Sequence, residues 1–147
     1  MTGSGTHDGM TYNRGLVEDP SAFAEHHGAA SWLYLCGEDF ASMEGGMSYA
    51  QVQAAVSDAA VVVSDPPVQM SMDLAREQVA ALDALARPAL VTCRTGPRSS
   101  ALVYLHAGLQ SGAPAEDVLA QAEADGAPFT KSDELKDWVR QGLEELS

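Results

Sequence analysis

The sequence predicts a single α/β domain with a mainly parallel sheet that helices cover on both faces. Three short apolar runs, residues 31–36, 60–64 and 89–92, indicate buried strands. Segments with helical patterning alternate with these runs, which is typical of parallel strands joined by crossover helices. A length of 147 residues is sufficient for one domain with its own core. Ligands of such sheets bind beyond the carboxyl ends of the strands, so the residues after each strand are candidates for a site.

Helix start and stop signals predict six helices, at about 20–27, 48–59, 73–86, 97–112, 115–125 and 132–146. Ser48 is suited to cap the second helix, Asp73 to open the third, and Gly28, Gly112 and Gly126 to end helices. Residues 1–18 are rich in Gly, Thr, His and Asp and show little periodicity. We therefore expect a mobile N-terminal arm over residues 1–18, with room for a short edge strand near residues 10–12, and the α/β domain over residues 19–147.

The segment 93–100, Cys-Arg-Thr-Gly-Pro-Arg-Ser-Ser, joins the third predicted strand to a helix. A strand, a tight loop and a helix start direct backbone N–H groups toward one point. The first N–H groups of a helix have no internal acceptor, and the helix dipole is positive at that end. The sequence therefore predicts an anion site, of the kind that binds phosphate, in this loop. Its residues are Arg94, Thr95, Gly96, Pro97 and Arg98.

The side chains of the loop add chemistry to this site. The positive field favours the thiolate form of Cys93, which makes it a candidate nucleophile. Arg98 supplies a planar guanidinium that suits phosphate or sulfate, and Ser99 can donate a hydrogen bond to the cysteine sulfur. Gly96 permits a positive φ, and Pro97 fits the first helical position. The alternative is a buried cysteine at a strand end, next to a surface arginine.

This loop resembles those of two related groups of cysteine proteins. Protein tyrosine and dual-specificity phosphatases carry Cys, five residues, Arg and then Ser or Thr, whereas four residues separate Cys93 from Arg98 here. Many rhodaneses carry Cys-Arg-x-Gly-x-Arg-Ser, which has the shorter spacing. The chain also resembles the phosphatase-like domain of the β-lactamase-hydrolase-like family, over roughly residues 20–147. That family's motif, Cys-Arg-Ser-Gly-Thr-Arg-Ser, is matched at Cys93, Arg94, Gly96, Arg98 and Ser99.

The resemblance implies a phosphatase of phosphate monoesters that works by double displacement. Cys93 would attack phosphorus and form a cysteinyl-phosphate. The loop N–H groups and Arg98 would hold the equatorial oxygens, and Ser99 would help the thiolate to leave again. No cofactor or metal is implied, and the expected partner is a small anionic or phosphorylated substrate.

The general acid is the part of this mechanism that the sequence specifies least. In dual-specificity phosphatases it is an aspartate on the loop after the preceding strand. Pro67–Val68 resembles the end of that strand, and Asp73 is the only carboxylate in the loop 69–73. We therefore name Asp73 as the candidate acid, with a helix N-cap as its alternative role. Asp65 and then Glu38 are the further candidates.

Two other functions stay open at this point. A rhodanese-like sulfurtransferase would carry a persulfide on Cys93 and would need no general acid, although the rhodanese N-terminal pattern, Asp-x-Arg followed by Gly-His-Ile, is absent from the sequence. A catalytically weak anion-binding or scaffold subunit would retain the fold without turnover. Cys36, which follows the first buried strand, is interpreted either as a resolving thiol for Cys93 or as a buried unreactive thiol.

Composition limits the partners. A net charge of −13 argues against nucleic acid and anionic membranes, both of which require a basic surface. No apolar run is long enough to span a membrane, and the first residues lack a signal-peptide pattern, so we expect a cytoplasmic protein. Two cysteines do not make a disulfide framework.

The histidines do not indicate a metal site, because His7, His26 and His27 lack the spacing of zinc ligands. The oligomeric state is left open.

Overall fold

The computed structural model describes residues 3–66 and 68–147, so Met1, Thr2 and Pro67 lie outside the described residues. Five strands form one sheet in the order β1-β2-β5-β3-β4. The strands are β1 Ser4–His7, β2 Met10–Asn13, β3 Ser31–Tyr34, β4 Asp58–Val61 and β5 Ala89–Thr92. β1 and β2 form an antiparallel hairpin, and every other neighbouring pair is parallel. The prediction of a mainly parallel α/β sheet is therefore confirmed.

Helices cover both faces of this sheet, as the sequence predicts. They are α1 Pro20–His26, α2 Tyr49–Ala55, α3 Met72–Asp83, α4 Pro97–Ser111, α5 Ala115–Ala124 and α6 Asp133–Leu146, with short 3-10 helices at Glu38–Ser42 and Pro128–Lys131. One buried cluster joins α1 and α2 to the sheet face that carries Trp32 and Leu90. The other joins α3 to α6 to the face that carries Leu33 and Val91. Alternation of side chains along the buried strands explains why both faces are apolar.

The N-terminal segment differs from the predicted mobile arm. Residues 4–7 and 10–13 are strands, and all four residues of β2 are buried. β2 pairs with β5 in parallel, with Tyr12 opposite Val91. The strand expected near residues 10–12 is present, but it lies inside the sheet and not at its edge. Four residues are too few to give the sequence signal of a buried strand. The consequence is that the end of β2 lies beside the end of β5, where the cysteine loop begins.

Three predicted elements also need correction. The strand predicted as buried at residues 60–64 is β4, which lies at the sheet edge, and Val61 and Val63 are 41% and 37% exposed. The second helix ends at Ala55 rather than near residue 59, although Ser48 caps it as predicted, in a capping box with Gln51. The third helix begins after Ser71, whose side chain accepts the N–H of Leu74, so Asp73 is not its N-cap. No helix within the described residues is long and apolar enough to cross a membrane.

Candidate active site

The cysteine loop lies at the carboxyl end of β5, near the middle of the sheet. Cys93 follows the strand directly, and Pro97 is the first residue of α4, as predicted. Gly96 precedes that helix with a φ of +117°, a conformation that residues with a side chain rarely adopt. A Cβ at this position would lie 2.2 Å from the carbonyl oxygen of Asn13. Both the backbone conformation and the close approach of β2 therefore require glycine here.

The sulfur of Cys93 lies among hydrogen-bond donors. The N–H of Gly96 donates to Sγ at 3.1 Å, and the N–H of Ser99 donates at 3.4 Å. The Ser99 hydroxyl lies 3.5 Å from Sγ, but it donates to Asn13 Oδ1 and accepts from the thiol, so it is not the donor to sulfur that the sequence predicts. Backbone donors directed at a sulfur stabilise its anionic form, as do neighbouring positive charges and helix N-termini. Cys93 is 4% exposed, so the sulfur is shielded from bulk water.

The remaining backbone donors of the loop are free. Within residues 3–66 and 68–147, the N–H groups of Arg94, Thr95 and Arg98 have no hydrogen-bond acceptor. Pro97 has no N–H, and the N–H of Gly96 is directed at the sulfur. Unpaired N–H groups at the start of a helix are the donors that anion sites use.

Asn13 is the site residue that sequence reasoning missed. Its side chain is fully buried at the end of β2 and contacts the loop at several points. Nδ2 donates to the carbonyl oxygens of Cys93 at 2.9 Å and of Gly15 at 2.9 Å, while Oδ1 accepts the Cys93 N–H at 3.2 Å and the Ser99 hydroxyl at 2.8 Å. A signal existed in principle, because a polar residue at a strand end faces the ligand-binding edge of a parallel sheet. Asn13 could be assigned to the site from this signal only once residues 10–13 were known to form a strand that pairs with β5.

The side chain of Arg94 is directed to a carboxylate outside the loop. Its Nε lies 3.2 Å from Oδ2 of Asp65, which is 4% exposed and also accepts the N–H of Gly37 at 2.9 Å. The Arg94 guanidinium also lies 5.6 Å from the centre of the Phe40 ring. The charge of this arginine is therefore compensated within the protein, and what Arg94 offers an anion is its backbone N–H.

The charge of Arg98, unlike that of Arg94, is not compensated by a carboxylate among the described residues. Its Nε is buried and has no hydrogen-bond partner among the described residues, and no carboxylate lies within ion-pair distance of its side chain there. Arg98 lines an open cavity of about 400 Å³, which is mostly polar. The other lining residues are Pro66, Val68, Gln69, Met70 and Glu134. The loop therefore carries both an unpaired guanidinium and free backbone N–H groups, which are the donors that oxyanion sites use.

The structure does not bring Asp73 to the cysteine. Its side chain is 99% exposed and forms an i,i+3 ion pair with Arg76, and it forms no hydrogen bond with the loop. Among the three predicted acids, only Asp65 contacts a loop residue, and it does so through its ion pair with Arg94. Glu38, the third candidate, begins a 3-10 helix and lines a different cavity.

Cys36 lies at that second cavity, which has a volume of about 390 Å³ and a mainly apolar lining. Tyr34, Tyr49, Val61 and Val63 are among the residues that line this cavity. Burial raises the pKa of the Cys36 thiol well above its usual value, and the nearby Asp65 carboxylate raises it further. Cys36 and Cys93 are both free thiols.

No cluster of three or more metal-ligating side chains is found among residues 3–66 and 68–147.

The single α/β domain with its mainly parallel five-stranded sheet has the fold of protein tyrosine phosphatase-like structures. A mutant form of Tk-PTP superimposes with a TM-score of 0.72 at 12% sequence identity, over 97% of this chain and 95% of that one. The catalytic core of the PP-IP phosphatase SIW14 from S. cerevisiae, in complex with citrate, gives a TM-score of 0.67 at 16% identity, over 97% and 84%. No protein-family model and no curated protein matches the sequence. At these identities the likeness establishes the fold.

Proposed function

We propose that this protein is a cysteine-dependent phosphatase that hydrolyses phosphate monoesters. The observation that carries the proposal is the surroundings of Cys93. Two backbone N–H groups donate to its sulfur, while the N–H groups of Arg94, Thr95 and Arg98 and the guanidinium of Arg98 are free to bind oxygens. The similarity of the fold to phosphatases supports the same reaction. The resemblance of the loop to that of the β-lactamase-hydrolase-like family is a further argument for this proposal.

The reaction would proceed in two displacements. The Cys93 thiolate attacks phosphorus, so that an S–P bond forms while the bond between phosphorus and the ester oxygen breaks. The loop N–H groups and Arg98 hold the equatorial oxygens and stabilise the charge that spreads over them. Water then attacks the cysteinyl-phosphate, the S–P bond breaks, and inorganic phosphate and the thiolate are released. Ser99 would stabilise the departing thiolate through its backbone N–H, which donates to the sulfur at 3.4 Å, while its hydroxyl donates to Asn13.

In this proposal, no general acid protonates the leaving group as it departs. Asp73 is exposed and paired with Arg76, and Asp65 is paired with Arg94 and Gly37. Because both carboxylates already have partners, we infer that neither delivers a proton in the first displacement. A phenolate leaves without protonation, whereas an alkoxide requires a general acid. The proposed substrates are therefore esters of acidic alcohols, such as aryl phosphates, in preference to alkyl phosphates.

A sulfurtransferase is the second candidate, and the same observation favours it. Transfer of sulfur needs no general acid: the Cys93 thiolate attacks the outer sulfur of thiosulfate, sulfite leaves, and cyanide then removes the sulfur as thiocyanate. The spacing of four residues between Cys93 and Arg98 is also found in rhodaneses. A binding subunit without turnover is the third possibility, and one experiment separates all three.

The test is to incubate the protein with an aryl phosphate and, separately, with thiosulfate and cyanide. The proposal predicts release of inorganic phosphate in the first reaction and no thiocyanate in the second. Cys93→Ser is the matched control, since it retains the loop and lacks the nucleophile. Formation of thiocyanate without release of phosphate would contradict the phosphatase and support the sulfurtransferase. If neither product forms, both enzymes are contradicted and only the anion-binding subunit remains.

A further inference from the structure

The charges around the cysteine loop are few, and most are already paired. Arg94 is held by Asp65, whose side chain is only 6% exposed, so this pair adds no net charge to the site. Six of the eight basic residues lie outside the loop. Five of these contact carboxylates or backbone carbonyls elsewhere: Arg14, Arg76, Arg87, Lys136 and Arg140. Lys131, the sixth, is exposed, has no ion pair among the described residues and does not line the cavity of Arg98. Arg98 is therefore the uncompensated cation of the loop itself.

A carboxylate shares the cavity with this cation. Glu134 lies in the first turn of α6, where the Ser132 side chain caps the helix, and it lines the same 400 Å³ cavity as Arg98. The remaining lining residues are uncharged. No described residue supplies this cavity with a second cation that could bind a second anionic group. The net charge of −13 adds a repulsive field at longer range.

We propose that Glu134 makes this site selective for phosphate monoesters whose organic part is neutral or cationic, and that it excludes esters with further anionic groups. This inference rests on the proposed function and names its substrate class. The phosphoryl group would use the charge of Arg98 and the loop N–H groups. The organic part would then lie in the cavity with Glu134, where a positive group is attracted and a carboxylate or second phosphate is repelled. At the edge of a protein, one such pair of charges changes binding by roughly three- to thirtyfold.

The test uses three aryl phosphates that differ only in a meta substituent: uncharged, carboxylate or trimethylammonium. At low ionic strength the wild-type kcat/KM should fall in the order cationic, neutral, anionic. In Glu134→Gln the ratio of cationic to anionic ester should shrink by roughly three- to tenfold, and in Glu134→Lys the order should reverse. Glu145→Lys, which makes the same charge change at an exposed position farther along α6, should leave the ratio at its wild-type value.

Two results would overturn the inference. One is an unchanged preference in both Glu134 variants. The other is an equal loss for all three esters in Glu134→Gln, which would make Glu134 a residue that positions the phosphoryl group or α6 and does not select charge. Binding of the three esters to Cys93→Ser, measured by calorimetry, separates this inference from the proposed function. Absence of turnover by the wild type contradicts the phosphatase proposal, whereas equal binding of the three esters contradicts charge selection by Glu134.

Discussion

The side chain of Asn13 forms two hydrogen bonds with the backbone of Cys93, although the two residues are 80 positions apart in the sequence. The amide donates to the Cys93 carbonyl oxygen and accepts the Cys93 N–H, in the way that a neighbouring strand would. It also accepts the hydroxyl of Ser99, which lies next to the sulfur. A single buried amide therefore continues the sheet beyond the end of β5 and fixes the start of the cysteine loop.

The first prediction concerns this amide. Asn13→Ala should lower the free energy of unfolding by about 2–5 kcal/mol, because each buried polar group that loses its partner costs about 1–3 kcal/mol. It should also abolish turnover, since the loop is no longer held. Urea unfolding and aryl phosphate hydrolysis measure the two effects.

Asn13→Asp is the control for that prediction. The carboxylate can still accept the Cys93 N–H and the Ser99 hydroxyl, but it cannot donate to the Cys93 carbonyl, and it brings a negative charge near the sulfur. Its activity should therefore fall, because the added negative charge repels a phosphoryl group bound in the loop. Wild-type activity in Asn13→Ala would contradict the role of Asn13.

The second prediction concerns Gly96. An alanine there would place its Cβ 2.2 Å from the Asn13 carbonyl oxygen at a φ of +117°, so that both strain and overlap arise. We expect a loss of about 2–4 kcal/mol, compared with roughly 1–2 kcal/mol for left-handed strain alone. Gly28→Ala is the matched control, because Gly28 has a φ of +59° and open space around it. Equal losses in the two variants, measured by thermal unfolding, would show that the contact with β2 is unimportant.

The third prediction concerns the two thiols. Because burial and Asp65 raise the pKa of Cys36, its thiol stays protonated at neutral pH and carries very little of the reactive thiolate. Cys93, with two N–H donors at its sulfur, should react with iodoacetamide at least about tenfold faster. Raising the pH should bring Cys36 into reaction only in strongly alkaline solution. Peptide mass spectrometry gives both rates, and equal rates at pH 7 would contradict the environment described for Cys93.

Inorganic phosphate or vanadate provides the control for this labelling experiment. An anion in the loop should slow the alkylation of Cys93 and leave that of Cys36 unchanged. Protection of both thiols would indicate a general change in the fold rather than occupation of the loop.

The fourth prediction concerns the two aspartates. Asp73→Asn should change turnover by less than about twofold for aryl and alkyl phosphates alike, since an exposed ion pair contributes little. Asp65→Asn removes the partner of Arg94 and should reduce turnover of all esters by a similar factor, through disturbance of the loop. A loss that grows with the pKa of the leaving alcohol, in either variant, would identify that aspartate as the general acid.

The sequence was sufficient to predict the loop and the central part of the fold. Strand β5, the glycine of the loop and Pro97 at the start of α4 lie next to each other in the chain, so local rules relate them. The parallel sheet and its two helical layers followed from the alternation of apolar runs and helical patterns. These features depend on contacts between residues that are close in the sequence, or on a strong periodicity of apolar residues.

The missed features depend on pairing between distant segments. β2 has four residues of mixed polarity, so only its pairing with β5 makes it a buried strand, and Asn13 could not be assigned without it. The compensation of Arg94 by Asp65 spans 29 residues, and the shared cavity of Arg98 and Glu134 joins the loop to the last helix. The pattern around Asp73 allowed both an N-cap and an acid, and Ser71, two residues earlier, is the cap.

The proposed reaction requires that Cys93 forms a covalent phosphoryl intermediate. The most direct test is to mix the protein with an aryl phosphate, quench in acid within the first turnover, and analyse the peptide that contains Cys93 by mass spectrometry. We expect the mass of one phosphoryl group on Cys93, none on Cys36, and no such species with Cys93→Ser. Release of inorganic phosphate by Cys93→Ser at the wild-type rate, with no phosphorylated cysteine in either protein, would contradict the proposed reaction.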